Sequence, residues 1–198
     1  MNKAGILRKM FAWVIHWADT PYGPIALFIL AFTESSFFPI PPDVLLIALA
    51  LGAPAKSFRF SSICTLGSVL GGMLGFFIGM MFFELVGMKI LDFYGLIDKF
   101  EMVQDMYRRY DAWFVAAAGF TPIPYKVFTI AAGTFGMNFY KFVIVSALSR
   151  GARFFIVSAL IWKFGREIKE FIDKYFNILS ILFFIILILG FIVVKMVF

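Results

Sequence analysis

Two apolar runs in this 198-residue chain are interrupted by the same proline signature. The first, Gly23 to Phe38, meets Pro39-Ile40-Pro41-Pro42-Asp43 before an apolar run resumes from Val44 to Ala53. The second, Ala112 to Met137, is broken at Pro122-Ile123-Pro124. Proline removes an amide donor and its ring collides with the preceding turn, so neither run can continue as a regular helix. At about 1.5 Å per residue, each arm is too short to cross roughly 30 Å of hydrocarbon. The pattern predicts two helical hairpins that turn back at mid-depth, with Pro39, Pro41, Pro42, Pro122 and Pro124 at their tips. The competing reading is a kinked helix that passes straight through.

The breaks are related to one another. Sliding the chain by 83 positions lays Phe37 to Ala48 on Phe120 to Ala131, so that Phe, Pro, Ile, Pro, Val, Ile and Ala coincide without a gap. Apolar bias can produce the Val, Ile and Ala matches, but not an in-register Pro-Ile-Pro. The chain therefore reads as an internal repeat.

Lipid is the solvent this composition requires. The chain is 62% hydrophobic and 15% charged, against about 25% charged in a soluble domain. The 18 basic and 12 acidic residues leave a net charge of +6, but the cations sit at segment ends or singly inside apolar runs. That placement suits anionic lipid and argues against nucleic acid. With one cysteine, Cys64, and one histidine, His16, no internal disulfide, thiolate cluster or paired-histidine site can form. No enzyme chemistry, metal or cofactor is expected.

Phe176 to Val194 is uncharged and long enough to span a bilayer, as is Ser61 to Phe83, where Gly67, Gly71, Gly75 and Gly79 recur every fourth residue. That glycine face lets another backbone approach closely, within one chain or between two copies. Phe139 to Trp162 is a third span, with Arg150 and Arg153 inside it. Residues 1–19 read as an amphipathic helix lying in the interface. The organisation expected is a single all-α integral membrane domain over 1–198: first hairpin repeat 20–83, interfacial segment 84–111, second hairpin repeat 112–165, and C-terminal transmembrane helix 166–198. The segment from Glu84 to Asp111 holds four basic residues against six acidic ones, while most other loop cations fall on the opposite side. By the positive-inside rule the two hairpins then dip in from opposite faces as an inverted repeat.

Five ionisable residues fall inside the apolar runs: Glu34, Asp43, Lys126, Arg150 and Arg153. Each costs at least about 2.5–3.5 kcal/mol at the bilayer centre, so they must pair or face water. Asp43 and Lys126 occupy equivalent places in the repeat and are expected to meet, either as a structural pair or as part of a substrate site. Arg150 and Arg153, three residues apart on one helix face, can fork around phosphate oxygens. Half-helix N-termini pointing inward would add amide donors. Asp43, Lys126, Arg150, Arg153 and Tyr125 are the candidate substrate-binding residues. Glu34 and Asp43 are the candidates to carry a proton.

The set Glu34-Ser35-Ser36-Phe37-Phe38-Pro39-Ile40-Pro41-Pro42-Asp43, Gly119-Phe120-Thr121-Pro122-Ile123-Pro124-Tyr125-Lys126, Ala132-Gly133 and Ser149-Arg150-Gly151-Ala152-Arg153 resembles the DedA family, described also by its VTT domain, and most of all its short YqaA-like bacterial branch. The resemblance implies two opposed re-entrant hairpins, residence in the bacterial inner membrane, and movement of lipids between leaflets. It implies undecaprenyl phosphate as substrate in bacteria, driven by the proton motive force, and phospholipid scrambling in eukaryotic relatives. It also implies roles for Glu34 and Asp43 on the first hairpin. Where many members carry Arg-x-x-Pro-x-x-Arg, this chain has Phe120 to Lys126, with one charge in place of two. The expected function is thus a flippase for an anionic lipid, with a phospholipid scramblase and a non-transporting scaffold as alternatives.

Overall fold

The computed structural model describes residues 20–165 except 39 and 96. The N-terminal amphipathic helix, the C-terminal transmembrane helix and Pro39 lie outside the described residues. Within them every regular element is helical: α1 (Gly23–Ser36), α2 (Asp43–Gly52), α3 (Ser57–Phe82), α4 (Met88–Tyr94), α5 (Ile97–Phe120), α6 (Tyr125–Thr134) and α7 (Phe139–Gly165). A 3-10 turn at Pro54–Lys56 leads into α3, and a π turn at Phe83–Gly87 follows it. Pro54–Gly87 and Phe139–Gly165 are each long and apolar enough to cross a membrane.

Both proline clusters end a helix. After α1, the amides of Phe37 and Phe38 both donate to Thr33 O, and α2 restarts from Pro42, its N-cap. After α5, Thr121 donates to Ala117 O, and α6 restarts from Pro124, whose ψ of 98° is extended rather than helical. No continuous helix passes either cluster. The helix α5 also runs unbroken through the boundary drawn at residue 111, so the interfacial segment from Ile97 onward and the first arm of the second broken run are one helix.

The span α3 is the spine, and its glycine face is used inside this chain. Gly67 and Gly71 lie against the backbone of Phe28 and Phe32 in α1, while Gly79 lies against Ile130 in α6. Gly133 of α6 returns the contact against Phe76 of α3. Two apolar cores result. One gathers Leu27, Leu30, Leu45, Leu46 and Leu49 of the first broken run with Phe60 and Phe154. The other gathers Val115, Tyr125 and Phe128 of the second with Phe76 and Phe142. Lys141 at the start of α7 is paired with Asp111 of α5.

The helices α3 and α7 run antiparallel. Ser61 Oγ donates to Phe154 O at 3.1 Å, and a Cβ on Gly151 would rest on Thr65. One turn beyond the Ser61–Phe154 contact, this register sets Ser57 opposite Ser158, and both hydroxyls are buried without a hydrogen-bond partner. A desolvated hydroxyl that makes no bond stabilises nothing. The variant Ser57→Ala/Ser158→Ala is therefore expected to unfold at or above the wild-type temperature when the solubilised protein is heated. A drop worth more than about 1 kcal/mol, the size of an ordinary hydrogen bond, would contradict it.

Candidate functional site

All five embedded charges gather where the two broken runs meet. Arg150, midway along α7, is 3% exposed and lies between the two apolar cores, with its guanidinium 4.9 Å from the Tyr125 ring centroid and 4.7 Å from that of Phe154. Such sandwiching favours a desolvated cation, by about 2 kcal/mol where water is excluded. Its Nη2 donates to Glu34 Oε2 at 2.9 Å and its Nε to Ser68 Oγ at 2.6 Å. Ser35 closes the ring: its Oγ is 2.8 Å from Ser68 Oγ and donates to Glu34 Oε2 at 3.3 Å. Glu34 is 12% exposed, so this pair is close to fully desolvated and held by hydroxyls from α1 and α3.

One turn along α7, Arg153 does the corresponding work for the other carboxylate. Its Nε and Nη2 both reach Asp43 Oδ1 at 3.0 Å, and each side chain is 15% exposed. Its Nη1 donates to the carbonyl of Thr121. Arg153 therefore ties the start of α2 to the end of α5, joining one break to the other.

The expected partnership of Asp43 with Lys126 is not the one the structure forms. Asp43 is taken by Arg153, and Lys126 has no carboxylate within 4.0 Å among the described residues. Lys126 Nζ instead donates to Phe38 O at 3.1 Å, across the gap between the breaks. The reason lies in helix ends. A helix that stops leaves its last carbonyls without partners and its negative pole exposed, and cations satisfy both. Lys126 serves the end of α1 and Arg153 the end of α5. The breaks do meet, but through carbonyl oxygens rather than through repeat-equivalent side chains.

Other expected site residues are placed as follows. Tyr125 is fully buried and hydrogen-bonded to Ser146 Oγ at 2.5 Å, so it supports Arg150 from beneath rather than lining an open surface. Pro42 is buried at the start of α2, and Pro41, Pro122 and Pro124 are partly exposed in the breaks. Of the two restarting helices, α2 carries Asp43 in its own first turn and so already has its anion. The first turn of α6 has no acidic residue and carries Lys126. Positive potential is therefore concentrated at the start of α6.

Sequence reasoning missed Ser68, Thr121, Thr129 and the Phe38 carbonyl. Thr129 Oγ1 donates to Ser35 O at 3.2 Å and to Lys126 O at 2.9 Å, stitching α6 to α1. Only the carbonyls had a readable signal, since a helix interrupted inside lipid must find donors for its final oxygens.

A VTT-domain family model matches residues 40–163, a range that contains the second break, all of the first but Pro39, and four of the five charges. This chain belongs to the DedA family of VTT-domain proteins. Among its relatives in that family is an uncharacterized protein of Haemophilus influenzae, 34% identical over 172 residues that cover 85% of this chain and 89% of the relative. A homologue from Histophilus somni is 32% identical over 85% of this chain and 90% of its own length. An uncharacterized protein of the archaeon Methanocaldococcus jannaschii is 28% identical over 65% of this chain and 78% of its own. No solved structure matches significantly. DedA-family membership and the two long apolar helices together make this a membrane protein.

Proposed function

We propose that this DedA-family protein moves an anionic lipid between leaflets, with the junction of the two broken runs as its headgroup site. The observation that carries this reading is the charge balance there. Three cations, Lys126, Arg150 and Arg153, face two carboxylates, Glu34 and Asp43, leaving one positive charge in excess when all are ionised. A scaffold has no use for that excess, whereas a phosphate headgroup neutralises it. Among the described residues Lys126 is the one of the three cations without a carboxylate, held by the Phe38 carbonyl, and is the natural first ligand. Arg150 and Arg153 present guanidinium forks suited to phosphate.

Phosphate and carboxylate then compete for the same arginines. A carboxylate displaced from its arginine in a desolvated site is stable only if it takes up a proton. Exchange of the Arg150–Glu34 and Arg153–Asp43 pairs would thus couple headgroup binding to proton uptake. In this reading the two broken runs are re-entrant hairpins of an inverted repeat, in a multi-pass protein of the bacterial inner membrane. Polyprenyl phosphate is the preferred substrate because a phosphate monoester carries close to two negative charges on its one phosphate, against one for the phosphodiester of an ordinary phospholipid.

Reconstitution into liposomes with labelled lipids tests the reading. Wild type is expected to exchange an anionic lipid well above empty liposomes and a zwitterionic lipid much less. Lys126→Gln should narrow that preference about tenfold or more, the effect of losing one charge-assisted bond of about 1.5–3 kcal/mol. Equal exchange of both lipids would instead favour a scramblase, and exchange no faster than empty liposomes a scaffold. In Glu34→Gln, unchanged dependence on an imposed pH gradient would remove Glu34 from proton coupling.

A further inference from the structure

A positively charged cavity lies away from the junction. At the start of α3, a cavity of about 590 Å³ is lined by Pro21 and Pro24 at the head of α1, Leu49 at the tail of α2, and Lys56, Arg59 and Phe60. Lys56 and Arg59 are exposed, and neither has a carboxylate within 4.0 Å among the described residues. Nothing in the first turn of α3 offsets them, because it holds no acidic residue and its N-cap makes no side-chain hydrogen bond. Two unpaired cations thus sit against the positive pole of a membrane-length helix, where cations are disfavoured and anions favoured.

We propose that this cavity binds the phosphate headgroup of an anionic membrane lipid, with Lys56 and Arg59 as its ligands. A phosphate there would neutralise both side chains, Arg59 by a two-pronged contact and Lys56 as a point charge. The walls argue for a lipid over a soluble anion. Pro21, Pro24, Leu49 and Phe60 offer apolar surface to the first carbons below a headgroup, and the cavity stands at the end of a helix that can span a bilayer, which is headgroup level. Arg59 precedes Ser68 by nine positions, roughly 13 Å along the helix. A headgroup in this cavity is therefore not the one held at the junction. The site does not depend on transport.

Thermal unfolding of the full-length protein in zwitterionic detergent tests it, with phosphatidylglycerol, phosphatidylcholine or inorganic phosphate added. Phosphatidylglycerol is expected to raise the wild-type midpoint by several degrees, phosphatidylcholine not at all, and inorganic phosphate by a small fraction of that. The charge-reversed variant Lys56→Glu/Arg59→Glu should unfold at a higher temperature than wild type without lipid and should lose most of the phosphatidylglycerol shift. The neutral variant Lys56→Gln/Arg59→Gln guards against misfolding and should also lose most of it. A full shift retained in either variant overturns the proposal. A shift reproduced in full by inorganic phosphate overturns it too, because the ligand would then be a soluble anion. A wild type that exchanges no lipid but shows the shift sinks the transport reading alone, and the reverse sinks this site alone.

Discussion

Arg150→Ala is expected to abolish the proposed lipid exchange and to lower stability by about 3–5 kcal/mol, the cost of leaving a buried carboxylate without its partner. Glu34 would keep only the Ser35 hydroxyl, and the cation between Tyr125 and Phe154 would be lost. A collapse of activity in that variant could reflect unfolding alone, so the informative protein is Glu34→Gln/Arg150→Gln. Two neutral amides can hydrogen-bond to each other, and replacing both members of a buried ion pair is often neutral for stability. The double variant should therefore recover most of the lost stability, measured by denaturation in detergent, while exchange stays at background. Recovery of exchange along with stability would make the pair purely structural. A coupling energy near zero in the double-mutant cycle would mean that the two side chains do not interact.

Gly133→Ala is expected to be the most damaging change of a single methyl group. Its new Cβ would be driven into the backbone of Phe76, which cannot rotate away as a side chain could. Overpacking of this kind costs about 1–3 kcal/mol and occasionally more, and here it would also push α6 off α3 and draw Lys126 from Phe38. Gly52→Ala is the matched control. A Cβ there meets nothing within 4 Å and the backbone is outside the left-handed region, so alanine, which leaves the unfolded chain less freedom to lose, should match or exceed wild type. If the two variants unfolded at the same temperature, the close packing of α3 on α6 would not hold in the membrane protein.

The contrast between these glycines shows how far the sequence could be read. The four-residue glycine spacing announces a face for close approach, and Gly67, Gly71 and Gly79 do receive α1 and α6. Gly133 was legible only as part of a family signature, because its partner Phe76 lies 57 positions away and no local pattern links them. The proline clusters place both breaks where the helices in fact stop, since the steric effect of proline is local and survives any tertiary context. The charge pairing was less accessible. Repeat symmetry suggested that Asp43 should meet Lys126, but the arginines of α7 approach from beyond the two matched stretches, 37–48 and 120–131, and take both carboxylates, with more donors on one rigid plane than lysine has. Lysine, left over, turns to the carbonyl end of α1. Nothing in the sequence distinguishes Ser68, which holds Arg150 and Ser35 together, from the other serines of α3.

Whether the two interrupted helices bring their broken ends together in the bilayer is open to cross-linking. In a Cys64→Ala background, the variant Phe38→Cys/Lys126→Cys should be joined within one chain by a short bifunctional thiol reagent in native membranes. The control pair Phe38→Cys/Lys141→Cys, with its second cysteine at the distant start of α7, should not. Efficient linkage in the first pair alone is the predicted result; no linkage in it, or equal linkage in both, would contradict the account.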